Sequence, residues 1–173
     1  MSKLLTIYLS DHYTGAVGGA ELARRLASSH RGSPEGEQLR EIADEVASDR
    51  DALRQIMAGL GIRPALYRRL AAWLGEKVAR LKLNGRLLRR SPLSSLIELE
   101  AMLVAVEGKA AGWRLLRALA EHDDRFARDR LDQLEQRARQ QADILEELRR
   151  TVGIDVLTSS PDRTKHLVAH GNQ

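Results

Sequence analysis

The chain has 173 residues, no cysteine and a formal net charge of +4 at pH 7. This length predicts one domain, and the lack of cysteine excludes disulfides and a cysteine nucleophile. We find no signal-peptide core and no run of about 20 apolar residues, so we expect a cytoplasmic protein. Aromatic residues make up only 3% of the chain, which favours an all-α fold over a sheet.

Prolines, glycines and capping residues divide the chain into five predicted helices. Ser33-Pro34 and Ser91-Pro92 are typical helix starts, Asp123-Asp124 offers a further cap, and Gly153 is a plausible stop. The predicted helices cover about residues 3–30, 34–60, 64–83, 92–121 and 124–152. We therefore predict one helical domain over 1–154 and a flexible C-terminal tail over 155–173.

The four longer helices carry apolar seams whose members are alternately three and four residues apart, as a bundle core requires. The seam of the first helix runs through Leu5, Tyr8, His12, Gly15, Gly19, Leu22 and Leu26, and that of the last through Ala127, Leu131, Leu134, Ala138, Gln141, Leu145, Leu148 and Val152. The connections near 31–33 and 121–123 are short, so they predict two antiparallel hairpins. The stretch 61–91 is long enough to cross back along the bundle. The sequence thus predicts a four-helix bundle with a long, partly helical crossover between helices two and three of the bundle.

Polar residues interrupt or flank these seams. His12 and Asp49 stand at equivalent levels of the first hairpin, which predicts a hydrogen bond between them. The candidate mid-bundle cluster comprises His12, Asp49, Glu100, Glu107 and Gln141. One interpretation is an inward-facing polar site. The other is a satisfied His–Asp pair, with both glutamates on solvated edges, because burying a lone charge is costly.

The first predicted helix contains Gly15, Gly18 and Gly19. A glycine inside a helix costs about 1 kcal/mol relative to alanine, so these residues need a reason. One interpretation is the close approach of a neighbour such as Trp113, and the other is a small pocket beside His12.

The helix count, the helix lengths and the crossover resemble the ferritin-like superfamily over about residues 3–152. The sequence around Asp11-His12-Tyr13-Thr14-Gly15 and Glu98-Leu99-Glu100 resembles proteins of an uncharacterised bacterial branch of this superfamily. The resemblance implies glutamates on the first and third bundle helices, where Glu21 and either Glu100 or Glu107 stand, and Glu-x-x-His on the other two. Here Glu45 is followed by Ser48 and Glu135 by Ala138, so both histidines are missing. We therefore carry no metal ligand over from the family.

The segment from Arg63 to Arg90 is strongly basic and amphipathic. It holds one acid, Glu76, and nine basic residues: Arg63, Arg68, Arg69, Lys77, Arg80, Lys82, Arg86, Arg89 and Arg90. Such a helix can bind nucleic acid or an anionic membrane. The alternative is a crossover helix whose apolar face covers the bundle and whose arginines pair with acids of its neighbours, and we favour it because the neighbouring helices are acidic. No nucleic-acid-binding motif accompanies the charge.

The sequence names no catalytic residue, no metal site and no cofactor, and it contains no phosphate loop or nucleophile elbow. Three hypotheses follow. The first is a non-catalytic bundle that acts through protein contacts or as a homo-oligomer, most simply a dimer. The second is a degenerate ferritin-like protein that binds a small ligand or metal at mid-bundle. The third is binding of phosphate-bearing surfaces through residues 63–90.

Overall fold

The computed structural model describes residues 2–62 and 92–159, which form four α-helices and no strand. We number them α1 (Lys3–Ser29), α2 (Gly36–Gly59), α3 (Pro92–Leu119) and α4 (Arg128–Thr158). This confirms the all-helical bundle. The predicted helix 64–83 and the basic segment 63–90 lie outside the described residues.

The buried side chains form two apolar clusters, one at each end of the bundle. One cluster joins the first half of α1 to the second halves of α2 and α3 and the first half of α4, through Leu9, Leu53, Leu116 and Leu131. The other joins the opposite halves, through Leu26, Leu39, Leu99 and Leu145. Consequently α1 is antiparallel to both α2 and α3, and α2 and α3 run in the same direction.

Both ends of α4 differ from the prediction. The last helix starts at Arg128 rather than near residue 124, and Asp123 accepts hydrogen bonds from the backbone and side chain of Arg125 instead of capping it. The predicted stop at Gly153 was wrong. Gly153 is buried inside α4 with room for only a small residue, since a Cβ atom there would lie 3.4 Å from Leu96 Cδ1.

The turn between α1 and α2 also differs from the predicted Ser33 cap. The residue before α2 is Glu35, and its side chain makes no capping hydrogen bond. Gly32 has a positive φ of 91°, and a Cβ atom at Gly36 would lie 2.3 Å from the carbonyl oxygen of His30. Backbone geometry at two glycines, rather than a serine cap, therefore fixes this turn.

No helix within the described parts of the chain combines the length and the apolar character that crossing a membrane demands.

Candidate functional site

A layer of polar side chains separates the two apolar clusters, and the Asp49 carboxylate on α2 lies at its centre. Asp49 is only 1% exposed. Its Oδ1 accepts from Arg137 Nε at 2.9 Å and from Arg137 Nη2, and its Oδ2 accepts from Lys109 Nζ. Two cations from two other helices therefore neutralise one buried carboxylate.

Gln141 completes this layer from α4 and is fully buried. Its side-chain oxygen accepts from Lys109 Nζ, while its Nε2 donates to Glu45 at 2.8 Å and to Asp49 Oδ2 at 3.4 Å. We call Glu45, Asp49, Lys109, Arg137 and Gln141 the polar layer. It explains why Asp49 and Gln141 occupy apolar seam positions, because a buried polar group is tolerated when it is fully bonded.

The predicted hydrogen bond between His12 and Asp49 was wrong. Within the described residues, no hydrogen bond joins them. His12 packs on Tyr8, with ring centroids 4.4 Å apart, and its ring lies against Gly112 of α3. A Cβ atom added to Gly112 would come within 2.9 Å of His12 Cε1. His12 therefore reaches α3, and the absence of a side chain at Gly112 makes room for it.

Glu100 and Glu107 do not join the polar layer, although the sequence grouped them with it. Both are exposed, and Glu100 pairs with Arg149 at 3.4 Å. Glu21 is also exposed and pairs with Arg24. Of the five candidate residues, the structure thus brings Asp49 and Gln141 together and leaves both glutamates on the outside of the bundle.

Lys109 and Arg137 are the members of the polar layer that the sequence analysis did not identify. A signal for Lys109 existed, because strict alternation of three and four residues from Leu99 runs through Met102, Val106 and position 109 to Trp113. Lys109 therefore stands where a core residue is expected. Burial lowers the pKa of Lys109, and the nearby Asp49 carboxylate acts in the opposite direction.

A cavity of about 350 Å³ opens between α1, α2 and α3, next to the polar layer. Its lining is mostly apolar. Its polar members include Lys109 and Asp49 of the polar layer, the charged residues Asp11 and Arg50, and the rings of His12 and Trp113. Burial lowers the pKa of His12, with Asp11 partly opposing this effect, so the environment favours the neutral imidazole.

Glycines form much of the cavity wall. Gly15 and Gly19 of α1, together with Gly108 and Gly112 of α3, lie in the lining. A Cβ atom added at Gly15, Gly19 or Gly108 would meet no atom within 4 Å. At these three positions the neighbouring helix does not approach closely, so of the two interpretations of Gly15 and Gly19 the structure supports the pocket.

The described residues contain no group of three or more histidine, aspartate and glutamate side chains able to hold a metal ion. Comparison of the chain with protein-family models, with curated proteins and with solved structures finds no match. Interpretation of the site therefore depends on its geometry.

Proposed function

We propose that this protein is a non-catalytic binding protein that holds a small, mainly apolar ligand in the cavity between α1, α2 and α3. The observation that carries the proposal is a cavity of about 350 Å³ with a mostly apolar lining and four charged residues, Asp49 and Lys109 of the polar layer together with Asp11 and Arg50. Small-molecule sites usually have this character, an apolar pocket of a few hundred Å³ with a few polar groups.

The glycines in the wall argue against a mere packing defect. Each costs the helix about 1 kcal/mol relative to alanine, and at Gly15, Gly19 and Gly108 an alanine would meet no obstacle. The sequence therefore forgoes helix stability at three positions that line the cavity, of which Gly15 and Gly108 are also exposed to solvent. Stability is commonly forgone in this way at functional sites.

A leucine in place of Gly19 tests this function. Gly19→Leu would project a side chain into the cavity, whereas Gly18→Leu places the same side chain at an exposed neighbour outside the lining. Both changes raise helix propensity, so both variants are expected to fold. We expect wild type and Gly18→Leu to bind the neutral dye Nile red saturably, measured by its fluorescence, and Gly19→Leu to lose at least about ten-fold in affinity. Unchanged binding by Gly19→Leu, or no saturable binding by wild type, would contradict the proposal.

We also propose that the bundle is of the ferritin-like type but has no di-metal centre. A bundle in which α2 and α3 run in one direction supports a ferritin-like connectivity. The positions after Glu45 and Glu135 that would hold histidines carry Ser48 and Ala138. We infer a bundle of this type that keeps an interior site but uses it for an organic ligand rather than for metal.

A second candidate function, self-association, rests on the outer face of α3. This face carries four large apolar side chains that are between 46% and 72% exposed, Leu93, Ile97, Val104 and Leu115. Exposed Ala101 and Ala111 extend the stripe between them. Helices with apolar residues on all sides are normally buried, and stripes of this kind mark protein contacts.

We expect a homodimer through this face, detectable by light scattering coupled to gel filtration. Val104→Lys should halve the measured mass, because it places a charge at the middle of the stripe. Ile154→Lys, at a residue of α4 that is 62% exposed, is the matched control and should leave the mass unchanged. A monomeric wild type would eliminate this candidate without affecting the ligand proposal.

A further inference from the structure

The hydrogen-bonding capacity left over in the polar layer indicates what kind of ligand the cavity takes. An ionised carboxylate has about four lone-pair sites. The Asp49 oxygens accept from two nitrogens of Arg137, from Lys109 and from Gln141. Asp49 has therefore no acceptor site left for a donor brought by a ligand.

Gln141 is equally saturated as a donor. Its amide has two N–H groups, and they serve Glu45 and Asp49, while its oxygen already accepts from Lys109. Gln141 is also absent from the cavity lining. It fixes the position of the Lys109 ammonium but offers little to a ligand.

Lys109 differs from both because it keeps an unused donor. An ammonium group has three N–H donors, and within the described residues Lys109 makes two hydrogen bonds, to Asp49 and to Gln141. Lys109 lies in the cavity lining, and its side chain is 15% exposed. A second spare donor lies in the same wall, since the buried indole N–H of Trp113 has no acceptor among the described residues.

The charge of the spare donor favours an anionic acceptor over a neutral one. Lys109 and Arg137 both bind directly to Asp49, and Gln141 links Asp49 to the Glu45 carboxylate, so two carboxylates already balance the two cations of the layer. A ligand carboxylate beside Lys109 would accept a charge-assisted hydrogen bond from an ammonium group whose side chain is only 15% exposed. Hydrogen bonds between charged groups are the strong ones in such surroundings.

We propose that the ligand is a compact apolar carboxylate whose apolar body fills the space between Gly15, Gly19 and Gly108 and whose carboxylate accepts a hydrogen bond from Lys109. This inference rests on the proposed ligand-binding function and adds the chemical class of the ligand. It also assigns Lys109 as the residue that selects the ligand, with Asp49 and Gln141 holding the ammonium in place.

Three probes with the same ring system test this assignment by displacement of Nile red: naphthoate, naphthalene and naphthylmethylammonium. We expect naphthoate to displace the dye at a concentration about ten-fold or more below that of naphthalene, the gain typical of one charge-assisted hydrogen bond. Naphthylmethylammonium should be no better than naphthalene, because Asp49 has no free acceptor and Asp11, the other carboxylate of the lining, is exposed to water. This comparison uses the wild-type protein and needs no variant.

The Lys109→Met variant assigns the effect to one residue. We expect this variant to abolish the advantage of naphthoate over naphthalene while its affinity for naphthalene stays within about two-fold of wild type. Lys3→Met is the matched control, because it makes the same change in net charge at an exposed residue, and it should behave as wild type. Equal displacement by the three probes, or preference for the ammonium probe, overturns the carboxylate assignment but leaves ligand binding intact. Absence of Nile red binding overturns both proposals.

Discussion

Asp49→Ala is expected to lower the free energy of unfolding by about 3–5 kcal/mol, the range measured when one partner of a buried ion pair is removed. The reason is the geometry of the polar layer. Lys109 and Arg137 would lose the carboxylate that both of them bind, and Gln141 would lose one of its acceptors. A cavity would also remain where the side chain had been.

Urea denaturation followed by circular dichroism measures this loss. Asp51→Ala is the matched control, because Asp51 lies on the same helix, pairs with Arg50 at 3.1 Å and is 44% exposed at its side chain. Exposed ion pairs of this kind contribute about 0–1 kcal/mol. Similar midpoints for the two variants would show that the polar layer does not hold α2, α3 and α4 together.

The arrangement of helices was largely predictable from local patterns. The four described helices begin and end within a few residues of their predicted limits, apart from the two ends of α4. The seam of α4 was also right, since Leu131, Leu134, Ala138, Gln141, Leu145 and Leu148 are all buried. Periodicity suffices here because each of these residues lies on one face of one helix.

The rotation of α1 was harder to predict. The predicted seam ran through His12, Gly15 and Gly19, whereas the buried residues include Leu9, Tyr13 and Ala23. The seam is therefore displaced by about one residue, which places the glycines at the edge of the helix interface and beside the cavity. Glycine carries no side chain to indicate a face, so the pattern alone did not distinguish a tight contact from an open space.

The partners of Asp49 could not be read from local spacing. Its ion-pair partners Lys109 and Arg137 are 60 and 88 residues away along the chain, and the choice of partner depends on how four helices rotate against one another. Proximity in the first hairpin favoured His12, but that ring turns towards α3. A charged residue at a core position signals that a partner exists, and only the assembled bundle identifies it.

Replacing both partners of the Asp49–Lys109 ion pair is expected to restore part of the free energy of unfolding that replacing Asp49 alone removes. We expect Asp49→Leu alone to destabilise strongly, and Asp49→Leu combined with Lys109→Leu to recover about 2 kcal/mol or more of that loss, because apolar replacement of a whole buried ion pair is often neutral or stabilising. Gln141 keeps Glu45 as a partner in the double variant. Arg137 is 31% exposed at its side chain, so its guanidinium can reach water.

A double-mutant cycle from urea denaturation isolates this coupling, since the two side chains are in direct contact. The cycle compares the losses of unfolding free energy in Asp49→Leu and Lys109→Leu with the loss in the double variant. If the two single losses simply add, Lys109 and Asp49 do not stabilise the protein through each other. A double variant that regains stability but does not prefer naphthoate over naphthalene would separate the two roles of Lys109. The ion pair would then be replaceable for folding but required for ligand selection, which is the reason we infer for keeping a lysine in the core of this bundle.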